Sequence, residues 1–337
     1  PPPAAASGAP LAAGSRAAGG AAPVVAPGSA RAWSGRRLAA AALVLLLAVA
    51  ATAAARAQYA HWRSTETIYG HMLRHAPGEA LLHSNYALEL QRRGRPDEAL
   101  RALETAARLR PEDARIQANL GSALVQLGRF EEALPRFTAA LATTLAPAQV
   151  RSSLGNALVS LGRFAEADGH FREALRIDPR SADAHTNLGR ALAMQGDLEG
   201  AIASFRQAIA CDPLLHTAHG NLGGLLARRG DHAAALAHYE TALRIEPRFA
   251  EAHSNMAVSL AALGRPDEAA ARFREALRLA PHLFQAHRGL GDLQAARGRW
   301  SEALREYEAA LRIQPRDPQA RAGAERARAA LAAPPGR

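Results

Sequence analysis

From residue 77 onward the chain returns a proline every 34 residues: Pro77, Pro111, Pro179, Pro213, Pro247, Pro281 and Pro315, with Leu145 at the grid position that breaks the series. A glycine column runs on the same period through Gly94, Gly128, Gly162, Gly196, Gly230, Gly264 and Gly298 without exception. Ala99, Ala133, Ala167, Ala201, Ala235, Ala269 and Ala303 form a third column, and Leu103, Phe137, Phe171, Phe205, Tyr239, Phe273 and Tyr307 a bulky fourth. A fixed period of this length, punctuated by Pro and Gly, means stacked supersecondary units. One such unit cannot cover its own apolar face and must bury it on the next.

Within one unit, "DAHTNLGRALAMQG" (183–196) carries apolar residues at helical spacing and stops at Gly196. "DLEGAIASFRQAIACDP" (197–213) opens on Asp197, a residue suited to cap a helix start, and halts before Pro213. Each unit is therefore predicted to be two antiparallel helices joined by a tight turn, in an all-α chain. The small alanine column allows close helix approach, and the aromatic column fills the space between units. Pro135, inside a second helix, and Gly169, at the equivalent position one unit on, are expected to weaken those helices and leave a softer joint around 130–170.

The front of the chain follows other rules. Residues 1–35 are low-complexity Pro, Ala and Gly that cannot bury enough apolar surface to offset ordering, which predicts a disordered arm. Residues 36–57 hold 18 uncharged residues, 38–55, between Arg37 and Arg56. That length meets the requirement of a membrane-spanning helix, with Arg31, Arg36 and Arg37 before it and Tyr59 and Trp62 after it. The alternative is an exported protein cleaved near Ala57, since "ARA" (55–57) has the form of a signal-peptide cleavage site. Both place the repeats on the extracytoplasmic side if the Arg-rich flank stays inside. The first Met is Met72 and the chain opens on Pro1, from which a fragment of a longer protein is expected.

The repeating columns resemble those of the tetratricopeptide repeat, with Leu188, Gly189, Leu192, Ala201, Phe205, Ala208 and Pro213 filling its pattern in order. The resemblance implies a right-handed superhelical solenoid with seven repeats over 80–315 and a capping helix and tail over 316–337. Residues 58–79 put Tyr69 and Pro77 on the grid and so stand as the second helix of a half-repeat. A membrane segment followed by "YAHWRSTETIYGHMLRHAP" (59–77) is similar to the junction in transmembrane-and-tetratricopeptide O-mannosyltransferases and their bacterial relatives. That likeness implies an alternative role, the substrate-recruiting end of a membrane glycosyltransferase whose catalytic part lies upstream.

The formal charge of +10 invites a nucleic-acid reading, but its location does not support one. Residues 80–315 hold 29 Arg against 27 acidic residues, and the excess sits at the two ends. Every basic residue is Arg, with no Lys. Cys211 is the single cysteine and replaces Ile177 and Ile245 of the neighbouring units, so it fills a small apolar slot. No catalytic constellation, cofactor motif or metal-ligand spacing emerges. His71 and His75 stand four apart without a third ligand, and "GNLGG" (220–224) follows no strand. A non-enzymatic chain without cofactor is expected.

What remains is a pair of columns in the first helices. "AHTNLG" (184–189), "AHGNLG" (218–223) and "AHSNMA" (252–257) return a His and an Asn together. At about 100° per residue, His185 falls on the inward stripe with Leu188, Gly189 and Leu192, and Asn187 falls roughly opposite. The His column thus reads as packing with a polar edge. The Asn column comprises Asn85, Asn119, Asn187, Asn221 and Asn255, with Ser153 and Gly289 completing it. A row of amides offers a donor and an acceptor at each step, which suits the backbone of an extended peptide. It resembles the asparagine ladder of the repeats in O-linked N-acetylglucosamine transferase, with Asn156 and Arg190 as neighbouring groove candidates. The other reading is a surface amide that solvates locally. The expected partner is a protein or peptide ligand in the concave groove, with the membrane touched through 38–55 and no nucleic acid.

Overall fold

The computed structural model describes residues 65–142 and 148–332, with 42, 43, 46, 47 and 49–52 in addition. The arm at 1–35 and the joint at 143–147 lie outside the described residues. The chain divides into two units, Pro1–Arg63 and Ser64–Arg337. In the first unit, the described residues of the 36–57 segment are helical and exposed, Leu43, Leu46, Leu47 and Val49 among them. Most of that segment lies outside the described residues. Among those described, no helix is long and apolar enough to cross a membrane.

The second unit opens on α1 (Thr65–His75). Helix pairs follow: α2 (Ala80–Arg92) with α3 (Pro96–Leu109), α4 (Ala114–Gln126) with α5 (Phe130–Leu141), and α6 (Ala148–Ser160) with α7 (Phe164–Ile177). Next come α8 (Ala182–Gln195) with α9 (Leu198–Cys211) and α10 (His216–Arg228) with α11 (His232–Ile245). The last pairs are α12 (Ala250–Ala262) with α13 (Pro266–Leu279) and α14 (Phe284–Ala296) with α15 (Trp300–Ile313), and α16 (Pro318–Ala332) closes the stack. This is an all-helical solenoid.

Local chemistry sets the turns. The glycine column sits at φ +70 to +90°, the left-handed region in which L side chains are strained, so each first helix ends where its glycine is. Second helices then start in one of two ways. Asp197 and Asp231 accept from the backbone N–H of Gly200 and Ala234 at 2.9 and 3.1 Å. In α3, α5, α7 and α13 an arginine at the same place forks onto the glutamate three residues on, as in Arg95–Glu98 and Arg163–Glu166. Where aspartate caps, that third position is Gly or Ala. α5 continues through Pro135 but stops at Leu141, whereas α7 runs through Gly169 to Ile177.

The core repeats one contact. All seven members of the alanine column are fully buried, which lets paired helices meet closely, and the aromatic column is buried beside it. Five of the six rings lie on the bare backbone of a glycine in their own first helix. A Cβ added at Gly121, Gly155, Gly189 or Gly223 would stand 2.6–2.8 Å from the ring of Phe137, Phe171, Phe205 or Tyr239, closer than real Cβ contacts come. Repeat six departs from this. Ala257 takes the glycine's place, and the Phe273 ring is instead pressed against Gly289 of the following helix, the position where the other repeats mostly carry Asn. The gap in the Asn column at 289 is thus the space that Phe273 occupies.

Successive first helices also touch one another, from α2 and α4 through to α14 and α16, while among the described residues no comparable packing joins one second helix to the next. The stack is therefore tighter on its first-helix side, and that side is concave.

The exchange at 257 and 289 gives a coupled prediction. Gly289→Asn should destabilise the chain by about 1–3 kcal/mol, because the amide and the Phe273 ring claim the same volume. In an Ala257→Gly background the ring regains its ordinary seat, and at least half of that loss should disappear. Thermal and urea unfolding of the four variants would measure it, and additive losses would refute the coupling.

Candidate functional site

The His column has a definite partner. Nε2 of His83, His185, His219, His253 and His287 lies 2.9–3.3 Å from the carbonyl oxygen of the grid proline six residues earlier, Pro77, Pro179, Pro213, Pro247 and Pro281. Gln117 and Arg321 donate to Pro111 and Pro315 in the same way, at 2.7 and 3.1 Å. Proline ends the preceding helix and keeps a carbonyl that needs a donor. Any side chain with a terminal N–H of the right reach serves, so His, Gln and Arg interchange. The polar edge expected from the sequence is this latch. The fixed six-residue interval from Pro to His was its signal.

With Nε2–H committed to the proline, Nδ1 of a neutral ring is left as an acceptor. His219 Nδ1 meets His238 Nδ1 at 3.1 Å, so His238 donates through Nδ1–H. The pair 68 residues on differs, because the facing group is a carboxylate: Glu306 Oε2 accepts from His287 Nδ1 at 2.7 Å. Burial is the main cause holding both His219 and His238 below the ordinary imidazole range. The Pro213 carbonyl partly opposes it at His219, while the facing His219 and then Arg206 add to it at His238. His170 is lowered in the same way, by burial and then Arg151.

The Asn column faces the concave side. Asn85 and Asn119 line a cavity of about 790 Å³ in the first three repeats, with Leu81, Leu88 and Ser153. Asn221, Asn255 and Arg190 line a second of about 680 Å³ in the central repeats. Asn156 and Asn187 are half-buried and line neither. Asn119 Nδ2 donates to Ser84 Oγ at 3.2 Å, which points its amide along the groove to the neighbouring first helix. The exposed apolar side chains in these linings, Leu88, Met194 and Val258, lie outside the Asn column and were not singled out from the sequence. Among the described residues, no three His, Cys, Asp or Glu side chains gather closely enough to hold a metal. The rings of His71 and His75 lie 4.6 Å apart on α1.

Against known proteins, the family model of the tetratricopeptide repeat matches residues 87–149, 153–215 and 254–318, more than half of the chain. A second TPR repeat model matches 223–264. No curated protein matches. Among solved structures, a tetratricopeptide repeat protein from Parabacteroides merdae ATCC 43184 is similar at 15% identity with a TM-score of 0.60, over 74% of this chain and 98% of that one. That level of identity shows the fold alone. TTC0263, a thermophilic TPR protein of Thermus thermophilus, matches at 29% identity and a TM-score of 0.46, over 55% of this chain and 98% of its own. YrrB, described as a TPR protein with an unusual peptide-binding site, matches at 23% and 0.44, over 55% and 95%.

The lowered imidazoles set a pH response. The folded chain binds these protons less readily than the unfolded chain, whose histidines titrate near about 6.5. Stability should therefore be full above that value and fall as the pH drops through the depressed values. Melting temperature measured from pH 8 to pH 5 should decline on the acid side, and His238→Gln should flatten the decline. An identical acid loss in that variant would exclude the pair as its source.

Proposed function

We propose a function for this chain as a member of the family to which it belongs, the tetratricopeptide-repeat proteins: a binding scaffold that holds an extended polypeptide along its concave face. The observation that carries this reading is the placement of the Asn column. Asn85 and Asn119 at one end, and Asn221 and Asn255 at the centre, line open cavities on that face, each amide offering a donor and an acceptor. A peptide in extended conformation presents the same groups at every residue, whatever its sequence. Side-chain pockets beside the amides then choose among sequences.

The anchor belongs to the same proposal. Eighteen uncharged residues, 38–55, preceded by Arg31, Arg36 and Arg37 and followed by Tyr59 and Trp62, support attachment to a membrane, with the repeats on its extracytoplasmic side when the Arg-rich flank stays inside.

Replacing Asn221 and Asn255 together by Ala should weaken peptide capture about tenfold or more, at roughly 0.5–1.5 kcal/mol for each hydrogen-bonding amide. Helicity and melting temperature should stay unchanged, because Asn255 is exposed and Asn221 is half-buried at the cavity wall. Titration of labelled peptides against the full chain by fluorescence anisotropy would read the change. Unaltered affinity in the double variant would remove the amides from the binding surface.

A further inference from the structure

The two parts of the groove differ in charge and in exposed apolar surface. The central cavity is lined by two arginines, Arg190 from α8 and Arg228 from α10, and by no aspartate or glutamate. Both arginines are exposed, and neither makes an ion pair among the described residues. Elsewhere the chain neutralises many of its arginines at close range, as at Arg129–Glu132, Arg229–Glu199 and Arg297–Asp267. Three acidic residues close in sequence to this lining are already engaged. Asp197 and Asp231 cap their own helices, and Glu199 faces Arg229.

Apolar surface accompanies these cations. Met194 is 62% exposed and Val258 50%, and both line the same cavity beside Val159 and Phe164. Large apolar side chains held open in water next to unneutralised guanidinium groups are costly unless a partner covers both. A thioether side chain also adapts to varied apolar contacts. The N-terminal cavity lacks this combination. Its one arginine, Arg115, shares the lining with Asp113, which caps α4 by accepting from the Arg115 and Ile116 N–H groups.

We infer that the central groove, between α8 and α12, selects an acidic-apolar stretch of peptide: a carboxylate side chain set between Arg190 and Arg228, with an apolar neighbour on Met194 and Val258. The inference rests on the peptide-groove reading above and adds to it the chemistry of the partner and the place where that chemistry is read. The Asn amides hold the backbone in any section, whereas only the central section asks for negative charge. The chain's own N-terminal arm, 1–35, with Arg16 and Arg31 and no acidic residue, has the wrong sign to occupy this section.

Phage-displayed random dodecapeptides selected on the full chain in mild detergent test it. The expected set is enriched in Asp or Glu next to Leu, Ile, Met or Phe. A selected peptide should lose about tenfold in affinity to the Arg190→Gln, Arg228→Gln variant, two exposed charge contacts being weak individually. It should lose a similar factor when its own carboxylate becomes an amide, and the two losses should not add. Binding should also weaken steeply from low to high salt. Both arginines are exposed, so the variant's melting temperature should match the parent's. Selection of neutral or basic peptides, held equally by parent and variant, would overturn the inference and leave the groove reading standing. Selection of nothing above the coated-surface control would overturn both.

Discussion

In five of the seven repeats an aromatic ring of the second helix rests on the backbone of a glycine in its own first helix, and an added Cβ would overlap the ring. Gly155 and Phe171 show the contact at its closest, where an added Cβ would stand 2.6 Å from the ring. Truncating a buried Phe to Ala in a core of this kind costs about 3–5 kcal/mol, so a handful of such seats outweighs the exposed ion pairs at the turns. The ring sets the distance between paired helices, and the buried alanines let the rest of each helix follow. Once pairs are fixed, first helices meet first helices, and the concave face appears without any further instruction.

This dependence explains why the fold was legible from the sequence and the site less so. A column that packs or turns the chain recurs on the period: the turn glycines and the Ala column return in every repeat, and the aromatic column in all but the first, where Leu103 stands. The latch needed a different kind of reading. His185 was placed on the inward stripe by rotation alone, but its partner is a backbone carbonyl in the turn, which helical periodicity does not display. The interchange of His with Gln117 and Arg321 was the hint that a donor, not a shape, is what the position requires. The gap at Gly289 was likewise visible as a missing Asn, yet its cause lies 16 residues upstream at Phe273 and 32 upstream at Ala257. Only packing connects those three positions.

The Asn column shows where periodic reasoning reaches its end. All five amides share one sequence position, but the cavities take four and leave Asn187 out. The groove is shaped by neighbours that are not periodic, such as Leu88, Arg190 and Val258, which occupy equivalent places in different repeats and differ in size and charge. A period predicts the scaffold because every unit solves the same packing problem. Recognition arises from the positions released from that problem, which are free to differ.

Such a division has an energetic basis. In the aromatic column Tyr307 lies against both Gly291 of its own pair and Gly323 of the following helix, so a change there is felt by both. Arg190 and Val258 are exposed on the concave face, and substituting either disturbs the packing of neither neighbour to any comparable degree. The central repeats can therefore carry unneutralised charge and open apolar surface while the ring, glycine and alanine contacts beneath them stay intact. The cost of that exposed surface is borne locally, and a bound partner is what would offset it.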